Sequence, residues 1–433
     1  MNPESGIVQR TTQEEAASAH TVDRMSDHHQ LELTSGEHFP PTSANTTVLL
    51  ILGLPKGTEF GIDYNVWQTG PHFKGLQQVP CGMHFVYYST GNFRSGFFLN
   101  VTTAGQLFAW NWNPQNETLD RELDVDQLQR IKYNLAEFIP HLGPYPATSP
   151  RITDTNEQGQ TNTLQKWHRL SSHISQKVVV RTLSESGVVS AMTSTSHFSD
   201  IPLTAANSMV NSSASTLQDA PRPLDSASVA DLPPTAAACS PLERDFDRIH
   251  FAKVDLKRSF PPGATGSQVT KYSLDKSYLL KSLIEDAYAG DYTLLLGEFQ
   301  LSFVIFLLGQ VYDGFDQWKV LVQLVCLSRE CIVDLPDFFS EFVGLLKIQL
   351  EECPQDFFHD ALASDSFLHA AIKSIVATSR DTDTNAPTMV VQAVSVLAEF
   401  MSSRFDWDVS ETLDEVDEED HPFQDEYEPV IIK

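Results

Sequence analysis

Residues 53–65, GLPKGTEFGIDYN, carry the side chains whose types and spacing are most suggestive of chemistry. Glycines, a lysine, a threonine and two acidic residues follow an apolar run, TTVLLIL, at 46–52. The backbone N–H groups of such a loop could hold a phosphate, and its carboxylates could act as acid or base. A phosphate-binding loop, however, places its lysine after the second glycine, whereas here Lys56 precedes Gly57 and no strong helical pattern follows. The order of residues therefore disfavours nucleotide binding.

A turn explains the same segment better. Pro55 and Gly57 are expected to turn the chain, and Gly61 permits a further bend. Glu59 and Asp63 are expected to accept hydrogen bonds from backbone donors. The aromatic and apolar residues in and after the segment are predicted to pack at the edge of a sheet: Phe60, Ile62, Tyr64 and Trp67.

Other residues that could support catalysis or bind a metal stand alone. The sequence has no G-x-S-x-G, H-E-x-x-H or C-x-x-C motif. His84 lies in a strand pattern, and we expect it to be hydrogen-bonded within the sheet rather than to act as a base. Cys326 and Cys331 stand five residues apart in a helical pattern, so their side chains point in different directions. They are predicted to be core or partly buried thiols rather than a metal pair. We therefore predict no enzymatic activity, no metal and no cofactor.

The composition indicates a protein partner rather than a nucleic acid or a membrane. The 433 residues include 29 basic and 57 acidic ones, and the resulting net charge of −28 repels a phosphate backbone and suits a basic protein partner. The first residues, MNPESGIVQR, lack the apolar core of a secretion signal, and five loosely spaced cysteines indicate free thiols in a reducing compartment. The most apolar stretch, 293–311, is interrupted by the polar residues Glu298, Gln300 and Gln310. It is therefore predicted to be a buried helix rather than a membrane span.

The pattern along the chain predicts an α+β fold with two domains. A β-rich domain at 46–183 begins with short aromatic strands about ten residues apart, which is typical of a β-sandwich. An amphipathic helix that ends before Pro140 is predicted within 117–142, and a second helix at 164–180. The apolar residues of the first helix recur at helical spacing: Leu123, Leu128, Ile131, Leu135 and Phe138. A helical domain follows at 246–407, with helices predicted at 273–288, 293–311, 313–329, 336–352, 365–379 and 387–403.

Polar segments separate and flank these domains. Residues 1–45 are predicted to form a disordered extension, and 147–163 a loop insertion. Residues 184–245, rich in Ser, Thr, Ala and Pro, are predicted to be a long flexible linker. The acidic tail covers 408–433.

The tail combines a solvated spacer with an apolar end. Between Asp408 and Glu428 there are 11 acidic residues and no lysine or arginine, so this part is expected to be extended. The residues that follow are β-branched and apolar in the main: Pro429, Val430, Ile431 and Ile432. This end could add as a strand to the sheet of another protein, or it could fold back onto the β domain. The residue pattern leaves these two alternatives equally open.

Several segments resemble one family closely. LPKGTEFGIDYN at 54–65 is similar to the N-terminal signature of the mating-type a-one/alpha-two repression family of splicing factors. Further matching segments occur in the same order in both predicted domains: Trp67, GPHFKG at 70–75, VPCGMHFVYYS at 79–89, SGFFL at 95–99, HLGPYP at 141–146, Lys166-Trp167, FPPGAT at 260–265, LGEFQLSFVIFLLGQVYDGFDQWK at 296–319 and SRFDWD at 403–408. The chain differs from the family pattern in its N-terminal extension, its insertion before Lys166 and its long linker.

The resemblance implies a fold and a function. The fold would be a β-sandwich-like domain joined to a helical domain resembling a VHS-type superhelix. The function would be non-catalytic assembly of the U5 small nuclear ribonucleoprotein in pre-mRNA splicing. The partner would be the large scaffold of that particle, pre-mRNA-processing splicing factor eight, bound through its RNase H-like and MPN-type domains. Bound there, the protein would keep a spliceosomal helicase and RNA off the scaffold, and its tail would bridge the two scaffold domains as an added strand.

Candidate residues for these roles follow from position and chemistry. Contacts with the scaffold are expected from residues of the signature and of the tail: Lys56, Glu59, Asp63, Tyr64, Trp67, Pro429, Val430, Ile431 and Ile432. Phosphorylation is associated with release in the family, and the candidate sites are Ser149, Ser240, Ser410 and Thr412. The expected location is both cytoplasmic and nuclear. The alternative is a helical-repeat adaptor that recruits short peptides and tolerates loss of the β domain.

Overall fold

The computed structural model describes residues 46–91, 93–146, 163–183, 187–190, 249–353, 367–381, 384–407 and 409. Strands occupy the N-terminal part of these residues and helices the C-terminal part. The predicted α+β fold, with an N-terminal β-sheet domain and a C-terminal all-helical domain, is therefore confirmed. The predicted extension at 1–45 and almost all of the predicted tail lie outside the described residues.

The β domain consists of two five-stranded sheets. Its strands are β1 (Val48–Leu52), β2 (Glu59–Ile62), β3 (Asn65–Gln68), β4 (Gly75–Gln77), β5 (Gly82–Thr90), β6 (Phe93–Val101), β7 (Leu107–Asn113), β8 (Thr118–Arg121), β9 (Leu142–Pro144) and β10 (Val188–Ser190). Sheet A has the order β8-β7-β1-β4-β9, and sheet B has the order β10-β6-β5-β2-β3. All pairs in sheet B are antiparallel, whereas β1 runs parallel to β7 and β4 parallel to β9 in sheet A.

Alternation along the strands places an apolar core between the two sheets. Phe60 and Ile62 of sheet B are fully buried there, with Leu49 and Ile51 of sheet A. The other face of sheet A is covered by α1 (Val125–Tyr133) and α2 (Leu135–Phe138). Four of the five apolar residues predicted for the amphipathic helix pack there: Leu128, Ile131, Leu135 and Phe138.

The prediction of one helix within 117–142 is wrong in two respects. Residues 118–121 pair with β7 as strand β8, so Leu123 precedes the helix and is 70% exposed. The side chain of Asp124 accepts a hydrogen bond from the backbone of Asp126 and starts α1 there, as an N-cap residue does. Asn134 then separates α1 from α2.

The predicted linker and second helix also differ in part from the structure. Residues 188–190, inside the predicted linker, form β10 at the edge of sheet B next to β6. The predicted helix at 164–180 is two helices, α3 (Thr163–Ser171) and α4 (Gln176–Thr182), because Ser175 caps the start of α4. The remaining parts of the predicted linker and insertion, 191–245 and 147–162, lie outside the described residues.

The helical domain follows the predicted helices closely. Its elements are α5 (Gly266–Leu274), α6 (Ser277–Tyr288), α7 (Tyr292–Leu307), α8 (Tyr312–Cys326), α9 (Cys331–Asp334), α10 (Pro336–Glu352), α11 (Phe367–Arg380) and α12 (Thr388–Phe405). The predicted helix at 273–288 begins only at Ser277, because the Asp275 carboxylate accepts hydrogen bonds from the Ser277, Arg329 and Glu330 amides. Helix α7 is buried from Leu295 to Leu307, as predicted for the most apolar stretch.

No single helix among the described residues is long and apolar enough to cross a membrane. Helices α6 and α7 reach the required length and composition only together, and they are bent by 93° relative to each other.

Sheet B is buried on both faces. Phe85 and Tyr87 of β5 belong to the same apolar cluster as the helices, whereas Val86 and Tyr88 belong to the core between the sheets. Two glycines make room for the rings on the helical face. A Cβ at Gly61 would lie 2.2 Å from Cζ of Tyr87, and one at Gly96 would lie 2.8 Å from Cζ of Phe85. The result is four layers, in the order α1 and α2, sheet A, sheet B and the helical domain.

The Gly61→Ala substitution tests this packing. We expect it to lower the free energy of unfolding by about 2 kcal/mol, because the added methyl group displaces the Tyr87 ring from a filled interior. The measurement is urea unfolding followed by circular dichroism.

Gly70→Ala is the matched control, because a Cβ there meets nothing within 4 Å and is expected to change stability by less than about 0.5 kcal/mol. Tyr87→Leu in the Gly61→Ala background should cost less than the sum of the two single changes. Strict additivity of the two changes would contradict the proposed clash.

Candidate functional site

The segment GLPKGTEFGIDYN runs from the end of β1 through β2 into the β2–β3 turn. Asp63 and Tyr64 form a two-residue hairpin loop, and Asp63 has a φ of 54°, as hairpin turns of this length require. The earlier turn, at Pro55 and Gly57, is joined to the residue after β3 by a hydrogen bond from the Gly57 amide to the Thr69 carbonyl. Strand alternation then directs Phe60 toward sheet A and Gly61 toward the helices.

Asp63 is the centre of a buried polar cluster. Its Oδ2 accepts hydrogen bonds from His84 Nδ1 at 2.7 Å and from the Tyr145 hydroxyl at 2.7 Å, and its Oδ1 accepts from the Phe85 amide at 2.9 Å. His84 Nε2 lies 2.9 Å from the Pro80 carbonyl oxygen. Both ring nitrogens of His84 therefore face acceptors, so the hydrogen bonds are complete only when the imidazole carries two protons.

Electrostatics agree with a charged histidine at this position. Burial alone would lower the pKa of His84, but the charge of Asp63 and the hydrogen bonds to Asp63 and the Pro80 carbonyl raise it above its usual value. Burial and the Asp63 carboxylate also raise the pKa of the Tyr145 phenol. His84 and Asp63 are 0% and 1% exposed, so this cluster has no access for a substrate. It holds the hairpin loop on β5, which confirms that His84 is satisfied within the sheet and that Asp63 accepts from a backbone donor.

Glu59 has a different role from the backbone capping that was predicted. Its carboxylate pairs with the guanidinium of Arg94, which is 3% exposed. Arg94 also donates to the Leu308 carbonyl at 2.9 Å and lies over the Tyr87 ring at 4.7 Å. Leu308 is the residue that ends α7, so the positive charge meets the negative end of a buried helix. Glu59 thus holds a cation that ties sheet B to the helical domain.

Tyr64 makes a second contact between the two domains. Its ring lies edge-on to Trp167 of α3, with centroids 6.3 Å apart, and Trp167 donates from Nε1 to the Met83 carbonyl at 2.7 Å. Burial and then the charge of Glu352, at the end of α10, raise the pKa of the Tyr64 phenol well above its usual value. The loop of the hairpin therefore lies against α3 and the C-terminal end of α10.

Lys56 and Trp67 are the signature residues at the surface. Lys56 is exposed in the turn before β2, and Trp67 is 37% exposed on β3, the edge strand of sheet B. The five signature residues therefore do not form one surface, and partner contacts by any of them stay a prediction. The burial of Asp63 argues against a direct contact by its carboxylate. The predicted tail residues 429–432 and the predicted phosphorylation sites Ser149, Ser240, Ser410 and Thr412 lie outside the described residues.

A buried ion pair that the sequence patterns do not predict is made by Glu298 of α7. This carboxylate is 0% exposed and pairs through Oε2 with Arg181 of α4. Its Oε1 accepts from the Ala252 amide at 2.8 Å and from Gln317 Nε2 at 3.0 Å. The Arg181 guanidinium also lies 4.2 Å from the centroid of the Tyr288 ring. The signal for this contact in the sequence is the single acidic residue within the most apolar stretch, 293–311.

Residues of α7 next to Glu298 contact α3 and the α3–α4 turn. Gln300 accepts from the His173 amide at 2.6 Å and donates to the Arg169 carbonyl at 3.1 Å. A Cβ at Gly297 would lie 2.4 Å from the His173 carbonyl oxygen, so the α3–α4 turn approaches α7 at its backbone. Residues 163–183 lie within the predicted β domain, yet they pack into the helical core through Trp167, Leu170 and Val178.

The cysteines of the helical domain are core residues, as predicted. Burial raises the pKa of Cys326 to about 12 and that of Cys331 to about 11. Within the ranges that the structure describes, no group of three or more His, Cys, Asp or Glu side chains could hold a metal ion.

The fold and these contacts define a two-domain α+β protein, with a β-sandwich packed against a helical domain. Polar residues of the kind found in active sites form the contacts between the two domains. Family comparison agrees with this division. Residues 45–184 match the model for the AAR2 N-terminal domain, and residues 251–410 match the model for the AAR2 C-terminal repeat region. The chain belongs to the AAR2 family, the family of splicing factors that its signature segments resemble, and its role is therefore related to splicing.

Individual relatives are similar over most of their length. The chain is 32% identical over 336 residues to Protein AAR2 homolog of Mus musculus, which covers 75% of this chain and 80% of the relative. Identity to the Homo sapiens homolog is 31% over 371 residues, covering 83% and 89% of the two chains. The Caenorhabditis elegans homolog is 30% identical over 373 residues, covering 84% and 95%.

The buried His84 predicts a specific pH dependence of stability. Its pKa is raised in the folded state, so its contribution is complete below the unfolded pKa of about 6.5 and is lost as the pH rises through the folded pKa. We expect the difference in unfolding free energy between the parent chain and His84→Gln to shrink as the pH increases above about 6.5. Urea unfolding of both chains from pH 5.5 to pH 9 provides the measurement, and a difference that stays constant or grows over this range would refute the charged state of His84.

The burial of Glu298 predicts that a single conservative substitution there strongly lowers the stability of the fold. Glu298→Gln should lower the free energy of unfolding by about 3 kcal/mol, because Arg181 and the Ala252 amide lose a charged acceptor in the interior. Asp334→Asn is the matched control, since it removes an ion pair with Lys281 in which both side chains are about half exposed. The control should cost less than about 1 kcal/mol, and equal costs for the two substitutions would contradict the account of Glu298.

Proposed function

We propose that this protein is a non-catalytic assembly factor of the U5 small nuclear ribonucleoprotein. Its partner is the large scaffold of that particle, pre-mRNA-processing splicing factor eight, which it binds through the RNase H-like and MPN-type domains. While bound, it keeps the spliceosomal helicase and RNA off the scaffold. The proposal extends the splicing-related role of the family to a named partner and a mechanism of competitive occlusion.

The observation that carries this proposal is the match of both domains to the AAR2 family models, in one chain whose two domains share an interface. A partner that presents two domains is well matched by a binder whose own two domains are held at a fixed angle, because less freedom is lost on binding. The non-catalytic role is supported by the positions of the residues that could act as acid or base. Asp63, His84 and Glu59 are engaged in internal contacts.

Charge supports occlusion of RNA as the mechanism. A scaffold surface shaped to receive RNA is basic, and the net charge of −28 of this chain complements it. Opposite charge mainly accelerates encounter and is screened by salt. The residues proposed to contact the scaffold are Lys56 and Trp67 at the surface of the β domain, and Pro429 to Ile432 of the tail.

The proposal also covers release of the protein from the scaffold and its location in the cell. A phosphate on Ser149, Ser240, Ser410 or Thr412 would add negative charge and would favour dissociation where it meets acidic groups of the scaffold. The protein would act in both the cytoplasm and the nucleus. No cofactor, nucleic acid or membrane takes part in the proposed function.

Calorimetric titration of the purified chain with the scaffold's RNase H-like and MPN-type domains tests the proposal. We expect submicromolar binding for the full chain and weaker binding for a chain that ends at Asp408, because the strand-forming residues are then lost. Stopped-flow measurements at low and high salt should show a fall of about tenfold or more in the association rate, with a much smaller change in the dissociation rate.

The outcomes separate the proposal from the adaptor alternative. Absence of binding by both chains would overturn it, and an affinity equal at low and high salt would remove the charge argument. The adaptor alternative requires that the helical domain work without residues 46–145. The burial of Phe85 and Tyr87 in the helical core disfavours that alternative.

A further inference from the structure

The outer side of β3 is an open strand edge. β3 pairs with β2 in the register Ile62–Asn65, Gly61–Val66, Phe60–Trp67 and Glu59–Gln68. In a two-residue hairpin the pair next to the loop is hydrogen-bonded and the pairs then alternate, so Val66 and Gln68 direct their N–H and C=O groups away from β2. The bond from the Thr69 amide to the Thr58 carbonyl agrees with this alternation.

Within the part of the chain that the structure describes, no other strand pairs with this edge of β3. Trp67 is 37% exposed beside it, and Val66 is half-buried against the helical core. Such an edge, with apolar side chains on both faces, is a template for one further strand.

The end of the helical domain lies close to this edge. Arg404 of α12 donates to the Cys353 carbonyl at 2.8 Å and to the Glu351 carbonyl at 3.3 Å, at the end of α10. Glu352, between them, lies beside Tyr64, which directly precedes β3. Val409, five residues after Arg404, is buried against the same helical core. The C-terminal ends of α10 and α12 therefore lie near the residue that precedes β3.

The sequence after Val409 contains a segment that suits this edge. Residues 410–428 form an acidic spacer, and nineteen extended residues reach about 60 Å, which is ample for a nearby site. Val430, Ile431 and Ile432 then have the β-branched side chains that favour a strand. In an added strand they would alternate between the face of Trp67 and the face of Val66.

We propose that residues 429–432 of this same chain add to β3 as a sixth strand of sheet B when no partner is bound. The backbone groups of Val66 and Gln68 bond to the added strand, and its apolar side chains cover Trp67. The tether favours this intramolecular pairing over pairing with a second copy, because it keeps the segment at a high local concentration. The docked strand is unavailable to other proteins, so β3 competes with the scaffold for the tail. That consequence rests on the proposed function, whereas the docking itself does not.

Amide hydrogen exchange of the isolated full chain, resolved to single residues, tests the docking without any partner. We compare the parent chain, Val430→Asp/Ile432→Asp, and the matched control Leu413→Asp/Val416→Asp, which makes the same chemical change in the spacer. The Val66 and Gln68 amides should exchange about tenfold more slowly in the parent and the control than in the first variant, since a strand docked nine-tenths of the time leaves one-tenth open. The Trp67 amide, which bonds to β2, should exchange equally in all three.

Equal exchange of the Val66 and Gln68 amides in the three chains would overturn the proposal. Protection that disappears on hundredfold dilution would also overturn it, because a second copy would then supply the strand. Scaffold binding is absent from this experiment, so a failure of the proposed function would leave its result unchanged.

Discussion

One buried carboxylate constrains the arrangement of the whole molecule. Glu298 lies at 0% exposure in α7, where an unpaired charge would cost several kcal/mol. Its partners come from separate parts of the chain: Arg181 in α4, the Ala252 amide and Gln317 in α8. The charge is satisfied only when the segments on both sides of residues 191–248 meet on α7. The contact therefore fixes where the chain leaves the β domain and where it enters the helical domain.

The second constraint is that sheet B is covered on both faces. Residues of one strand alternate between two cores, so Phe60 and Ile62 pack between the sheets while Glu59 and Gly61 face the helices. This explains why the signature segment looks like a catalytic or phosphate-binding loop. A strand between two layers needs small residues where rings cross it, and charged residues where it must pair with a buried cation. The same residue types that support chemistry in other proteins here join two domains.

Sequence patterns predicted the elements well and the long-range polar contacts poorly. The helices from Ser277 to Phe405 follow from apolar residues at helical spacing, and the turn at Pro55 and Gly57 from local preferences. The strand β8 was missed because Thr118–Arg121 is short and half-polar, and its stability comes from pairing with β7. The pairing of Glu298 with Arg181 joins residues 117 positions apart, and no local pattern encodes a partner at that distance. The assignment of the signature residues to partner contacts came from family resemblance, and the internal roles of Asp63 and Glu59 became visible only in the fold.

The central claim is that the β domain and the helical domain behave as one structural unit joined by Glu298, Arg94 and the two-faced sheet B. Native-state hydrogen exchange across a series of sub-denaturing urea concentrations measures this directly, with amides of β5 reporting on the β domain and amides of α7 and α10 on the helical domain. If the two domains form one unit, the slowest amides of all three elements converge on one opening free energy and one dependence on urea. Two separate opening reactions, with the helical amides exchanging while β5 stays protected or the reverse, would contradict it.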